Sequence, residues 1–279
     1  MSKLWTFGDS FTFGHGCRPI VDDVQNSTYS KIFSDYIDLA KPIWPEIVSE
    51  TFNLDLINKG ANGITNDRIF DHILKHITEF QSGDCVIIQM STSSRFEFPF
   101  AKERSLFGFK KDSKDELYGY DNSSHVFKTI YSLNVLKDFE DGGETTLMHA
   151  NGEKENKNFK LTKDKFETIK NFFNYFIYYQ KYYEREIWRF IKITELLETL
   201  NVNVFILNED IWPLHISKPK NLIDIENQGL LNYIIENKKT IVYDTGGKIN
   251  DFHPSYDGHI EIGYKITKHI KNTNLYNII

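Results

Sequence analysis

Cysteine is scarce: the 279 residues contain two, Cys17 and Cys85. Two thiols make neither a disulfide framework nor a zinc site, and reduced thiols in a cytoplasmic compartment are the simpler expectation. No run approaches the roughly 20 apolar residues that a bilayer-spanning helix needs, so no membrane partner is expected. The start, Met1-Ser-Lys-Leu-Trp-Thr-Phe, lacks an apolar core and a small-residue cleavage site, and no signal peptide is expected. Positive charge is not in excess. The 33 Lys+Arg against 39 Asp+Glu leave a net charge of −6, which gives no electrostatic pull toward nucleic acid. Neither an internal repeat nor a low-complexity linker is visible. What is present is a globular composition, 40% hydrophobic, 26% charged and 15% aromatic, in a chain long enough for one decorated domain or two small ones. We read residues 1–279 as one domain.

Short apolar runs alternate with helical patterns. Leu4 to Phe7, Leu54 to Ile57, Cys85 to Met90 and Asn203 to Leu207 read as buried strands. Helical spacing follows Pro45, runs from Asn66 to Phe80, spans 221–236 and closes the chain after Gly258. Strands joined by helices at this spacing predict an α/β protein with a parallel sheet and crossover helices. Such sheets bind ligands at the carboxyl ends of their strands. Gly8-Asp9-Ser10, Asn58 to Gly63 and Ser91 to Arg95 each follow a strand, so they should meet on one edge. Residues 99–162 break the alternation and read as an insertion, a hairpin subdomain or lid. Residues 163–200 are helical in pattern with no Gly or Pro inside. One straight helix there would be about 55 Å long, so it kinks or projects. Its aromatic stripe reads as core and insertion packing, with a homo-oligomer face or a substrate wall as the alternatives.

A serine hydroxyl is a weak nucleophile until a base takes its proton, and that base is commonly a histidine oriented by a carboxylate. Ser10 stands after the first strand. Asp251 and His253 stand near the far end, followed by Pro254. In a parallel sheet the loop before the last helix can return to the edge where the first strand ends, which would join them. Two other patterns are weaker. Gly14-His15-Gly16 lacks the lysine and the glycine spacing of a phosphate loop. His72 and His76 are four apart but without the glutamate of a zinc helix, and read as a surface pair. No metal or cofactor is implied.

Thr6-Phe-Gly-Asp-Ser-Phe-Thr12, with Asn58-Lys-Gly-Ala-Asn-Gly63 and Asp251-Phe-His-Pro254 in that order, resembles the blocks of the SGNH, or GDSL, hydrolase family. The resemblance covers about residues 3–95 and 200–270. It implies a flavodoxin-like three-layer α/β/α fold and metal-free cleavage of acyl esters. It implies Ser10 as nucleophile, His253 as base and then acid, and Asp251 as its orienting group. The backbone N–H groups of Ser10 and Gly63 would then face the oxyanion. Two departures stand out. The family's third block supplies an asparagine donor where this chain has Ser93, and the hydroxyl is shorter; a water or Arg95 would have to make up the difference, or the hole has two donors. The family commonly has aspartate three residues before the histidine, where this chain has Asn250, which leaves a backbone carbonyl as an alternative to Asp251. Candidate substrate contacts are Arg95, Asn62 and His15. Their simpler readings are an ion pair with Glu97, a turn residue and a solvated side chain. The leading reading is a serine ester hydrolase that removes a small acyl group, with O-acetyl carbohydrate as the preferred substrate. An acyltransferase on the same site and a non-catalytic binding or assembly protein are the alternatives.

Overall fold

Period-two alternation along the strands sets the layers. The computed structural model describes residues 2–19, 36–62, 64–92, 147–148, 154–155, 179–244 and 248–273. In β1 (Lys3–Phe7), β3 (Cys85–Met90) and β6 (Asn203–Asn208), successive side chains enter opposite cores. Leu4, Cys85, Ile87, Phe205 and Leu207 share one buried cluster, whereas Trp5, Phe7, Val86, Ile88, Val204 and Ile206 share another. A sheet apolar on both faces needs cover on both. Helices α2 (Trp44–Phe52), α5 (Leu230–Glu236) and α6 (Tyr256–Asn272) cover the first face through Val48, Ile234, Ile262 and Ile266. Helices α3 (Asn66–Lys75) and α4 (Tyr179–Thr199) cover the second through Ile69, Ile73, Ile187 and Phe190.

With β2 (Asp55–Asn58) and β7 (Leu222–Ile223), the sheet has the order β2-β1-β3-β6-β7, all parallel. Counted within this sheet the order is 2-1-3-4-5, the flavodoxin-like arrangement, and the fold is the expected three-layer α/β/α. At the amino ends of the strands, the buried Asp84 accepts from the backbone N–H of Lys3 (2.9 Å) and the indole N–H of Trp5 (3.0 Å), which ties β1 to the start of β3.

Three elements depart from expectation. The helix after Asn66 stops at Lys75, and residues 76–79 turn so that Phe80 meets Trp5 edge-on at 5.1 Å. Residues 221–236 are not one helix. Leu222 and Ile223 form the fifth strand, in register with Ile206 and Leu207, and the helix begins at Leu230. Gly229 separates them at φ +76°, pressed so close to Asp210 that a Cβ would lie 2.5 Å from its carbonyl oxygen. Asn250 to Pro254 is not a loop but part of β9 (Lys248–Pro254), antiparallel to β8 (Thr240–Asp244) and outside the main sheet. Of the expected insertion at 99–162, the described residues are the pairing of β4 (Leu147–Met148) with β5 (Lys154–Glu155). Of the segment 163–200, residues 163–178 lie outside the described residues.

Candidate active site

Beyond Phe7 the chain turns at Gly8 and enters α1 (Ser10–Phe13), a single helical turn. Asp9 caps it: its carboxylate accepts from the Phe11 N–H at 3.0 Å and from the Ser91 hydroxyl at 2.7 Å, so the turn is fixed to the end of β3. The next anchor is Thr12, which donates to Gln89 Oε1 at 2.7 Å, while Gln89 Nε2 donates to Glu209 Oε2 at 3.3 Å. Glu209 follows β6 and is 2% exposed. The ends of β1, β3 and β6 are therefore linked by one buried polar chain. Gly8 is closely packed within it: a Cβ there would lie 2.1 Å from Thr12 Oγ1 and would have to displace it.

The loop after β2 closes on α1 from the other side. Asn58 accepts from the Thr6 hydroxyl (3.0 Å) and the Gly60 N–H (2.9 Å), and its Nδ2 donates to the Thr12 carbonyl (2.9 Å). The Ala61 N–H donates to Gly8 O at 3.0 Å. Gly60 sits against the α1 backbone, where a Cβ would lie 2.5 Å from the Phe13 nitrogen. Asn62 follows, its Oδ1 buried without a hydrogen-bond partner among the described residues. Asn66 holds the end of β3 by accepting from the Ser91 N–H (2.8 Å) and donating to the Ser91 carbonyl (3.0 Å).

His253 arrives on β9. Its Nε2 lies 2.8 Å from Ser10 Oγ, across 243 residues of sequence. The imidazole sits edge-to-face with Phe11 at 5.5 Å and close to the His15 ring at 4.2 Å. His15 is 3% exposed, so it is an inner wall of the site rather than a solvated side chain. Behind His253, the Cys17 thiol donates to the Pro254 carbonyl at 3.7 Å and the Tyr256 hydroxyl donates to the Cys17 carbonyl at 3.0 Å. Further back, the buried His259 accepts from the Trp44 N–H at 3.5 Å. Burial, with Arg18 and His253 adding to it, pushes this imidazole down to about 3.

The remaining predicted positions distribute as follows. Asp251 lies on β9 opposite Ile241, its side chain outside the described residues, as are Gly63, Ser93 and Arg95. His76 Nδ1 pairs with Glu79 at 2.7 Å, and burial pushes His72 down to about 4. Among the described residues no group of three or more His, Cys, Asp and Glu side chains is placed to hold a metal ion. None of their helices is long and apolar enough to cross a membrane. A pocket of about 430 Å³ opens at the start of α6, walled in part by Tyr36, Lys41 and Tyr256, and includes neither Ser10 nor His253. Sequence reading missed the bracing residues Asn58, Asn66, Gln89 and Glu209. Gln89 carried a signal, as a polar residue inside the apolar run Cys85 to Met90.

The fold and this pair define a class, a three-layer α/β protein with a serine hydroxyl hydrogen-bonded to an imidazole at the carboxyl edge of its sheet. No protein-family model and no curated protein matches the chain. Among solved structures it is similar to a Desulfitobacterium hafniense DCB-2 protein assigned to the G-D-S-L lipolytic family, at 12% identity, covering 96% of this chain and 99% of that one, with a TM-score of 0.31.

Proposed function

We propose that the protein is a serine ester hydrolase of the SGNH type. The observation that carries this is the 2.8 Å contact between Ser10 Oγ, on the braced turn, and His253 Nε2, on β9 and 243 positions away. A hydroxyl and an imidazole at that distance are within proton-transfer reach. Ser10 Oγ attacks the ester carbonyl carbon as its proton passes to His253 Nε2. The imidazolium returns that proton to the departing alkoxide, which leaves as the alcohol. Water then gives a proton to His253, its oxygen attacks the acyl carbon, and the carboxylic acid leaves as Ser10 recovers its proton. The N–H groups of Ser10 and Gly63 are the proposed oxyanion donors, with Ser93 in the place of the family's asparagine. One missing donor of this kind costs about 10²–10³ in rate, which predicts a slow enzyme. Asp251 is the proposed orienting carboxylate, and Arg95 and Asn62 the proposed substrate contacts. The substrate class we favour is a small acyl ester, O-acetyl on a carbohydrate first.

The test is covalent labelling with a fluorophosphonate, read by intact mass and peptide mapping. The wild type is expected to gain one adduct on Ser10, and Ser10→Ala and His253→Ala none. No adduct on the wild type, under conditions that label a control hydrolase, would overturn the reading in favour of a non-catalytic binding protein. Release of acid from acetyl esters with and without an added alcohol then separates hydrolysis from acyl transfer.

A further inference from the structure

A histidine base must be held so that one ring nitrogen faces the nucleophile, and two rings hold His253 from the nucleophile's own segment. Phe11 meets it edge-on, and His15 lies closer, at 4.2 Å with the planes 36° apart. The backbone at His15 is tightly defined. Gly14 ends α1 at φ +84°, a conformation glycine adopts without strain. The N–H groups of Gly14 and His15 both donate to the carbonyl of Ser10, at 3.0 and 2.9 Å. The chain therefore reverses at Gly14 and returns the His15 ring to the site of the residue whose carbonyl anchors it. His15 is 3% exposed, which places it beside the imidazole and out of bulk solvent.

The geometry points to His15 as a positioning residue for His253, setting the tilt of its ring toward Ser10. This rests on the hydrolase reading above. A flat ring at position 15 limits the rotation of His253 about its side-chain bonds, and a smaller side chain leaves it free to turn Nε2 away from Ser10 Oγ. Misplacement of a reacting group by about 1 Å can cost on the order of 10² in rate.

The test compares His15→Ala, His15→Phe, Ser10→Ala and wild type in steady-state hydrolysis of a small acetyl ester, with melting temperatures measured in parallel. His15→Ala is expected to lower kcat roughly ten- to a hundredfold with KM unchanged, and His15→Phe, which restores a flat ring, to recover most of kcat. A His15→Ala enzyme with wild-type kcat overturns the proposal and leaves the hydrolase reading standing. A fall in KM-governed binding alone, or a His15→Phe enzyme as slow as His15→Ala while melting like wild type, also overturns it. If Ser10→Ala hydrolyses the ester as fast as wild type, the hydrolase reading fails and takes this inference with it. Should His15→Ala not fold, the kcat of His15→Phe against wild type decides.

Discussion

Gly8 and Ser10 are two residues apart, and substitution is expected to cost stability at the first and activity with little stability at the second. A methyl group at position 8 would lie 2.1 Å from Thr12 Oγ1 and 2.7 Å from Gln89 Oε1. Gly8→Ala must displace the contact that joins α1 to β3, and overpacking of this kind costs about 1–3 kcal/mol. The expected result is a lower urea midpoint together with lower activity; an unshifted midpoint would contradict it. Ser10→Ala removes one hydroxyl and one hydrogen bond, worth about 1 kcal/mol of stability. It is expected to melt close to wild type while losing about 10⁴–10⁶ in kcat. His253→Ala should match that loss, and Asp251→Asn should lose less. Equal losses at 251 and 253 in the same assay would make the carboxylate a full partner of the imidazole.

Asn66 is the first residue of α3, and it works for β3 rather than for its own helix. It satisfies both the N–H and the carbonyl of Ser91, whose hydroxyl in turn reaches Asp9. Asn66→Ala removes both of these contacts from buried backbone groups, and losing a buried hydrogen bond of this kind costs about 1–3 kcal/mol. Denaturant melts should show a loss of that order, with labelling of Ser10 slowed as the turn loosens; a wild-type melt would refute the clamp. The strands that carry the site were legible because their alternation is strong. Leu4 to Phe7, Cys85 to Met90 and Asn203 to Leu207 all lie within observed strands, and the expectation from residue chemistry, order and the family resemblance that Ser10 and His253 meet agrees with their 2.8 Å contact. Leu222 and Ile223 were not legible as a strand, since two residues are too few to show a period of two and the apolar residues beyond them fit a helix. The placement of His253 on β9 was hidden because Asn250-Asp-Phe-His-Pro reads as turn and helix-start chemistry. The burial of His15 was hidden because it depends on the reversal at Gly14, which local spacing does not reveal.

At the scale of the whole molecule, two half-buried or buried imidazoles link folding to pH. Burial is the main cause that holds His72 down to about 4 and His259 down to about 3, with Arg18 contributing at His259 and Arg68 at His72. In the unfolded chain each would take a proton near 6.5. Below that value the unfolded state binds more protons than the folded one, so this stability is complete above about pH 6.5 and drains away as pH falls toward the folded values. Glu186 and Asp71, raised chiefly by burial, act in the other direction. The comparison of wild type with His259→Gln isolates one imidazole: the variant should be less stable at pH 7.5, and the gap in urea midpoint should narrow by pH 5. A gap that stays constant or widens would refute the assignment. The pairing of Ser10 with His253 also has a consequence for how the protein is made. Translation delivers the imidazole 243 residues after the hydroxyl. Through that stretch of synthesis a nascent chain carries Ser10 without the imidazole that contacts it, so the pair can form only once β9 has emerged and docked.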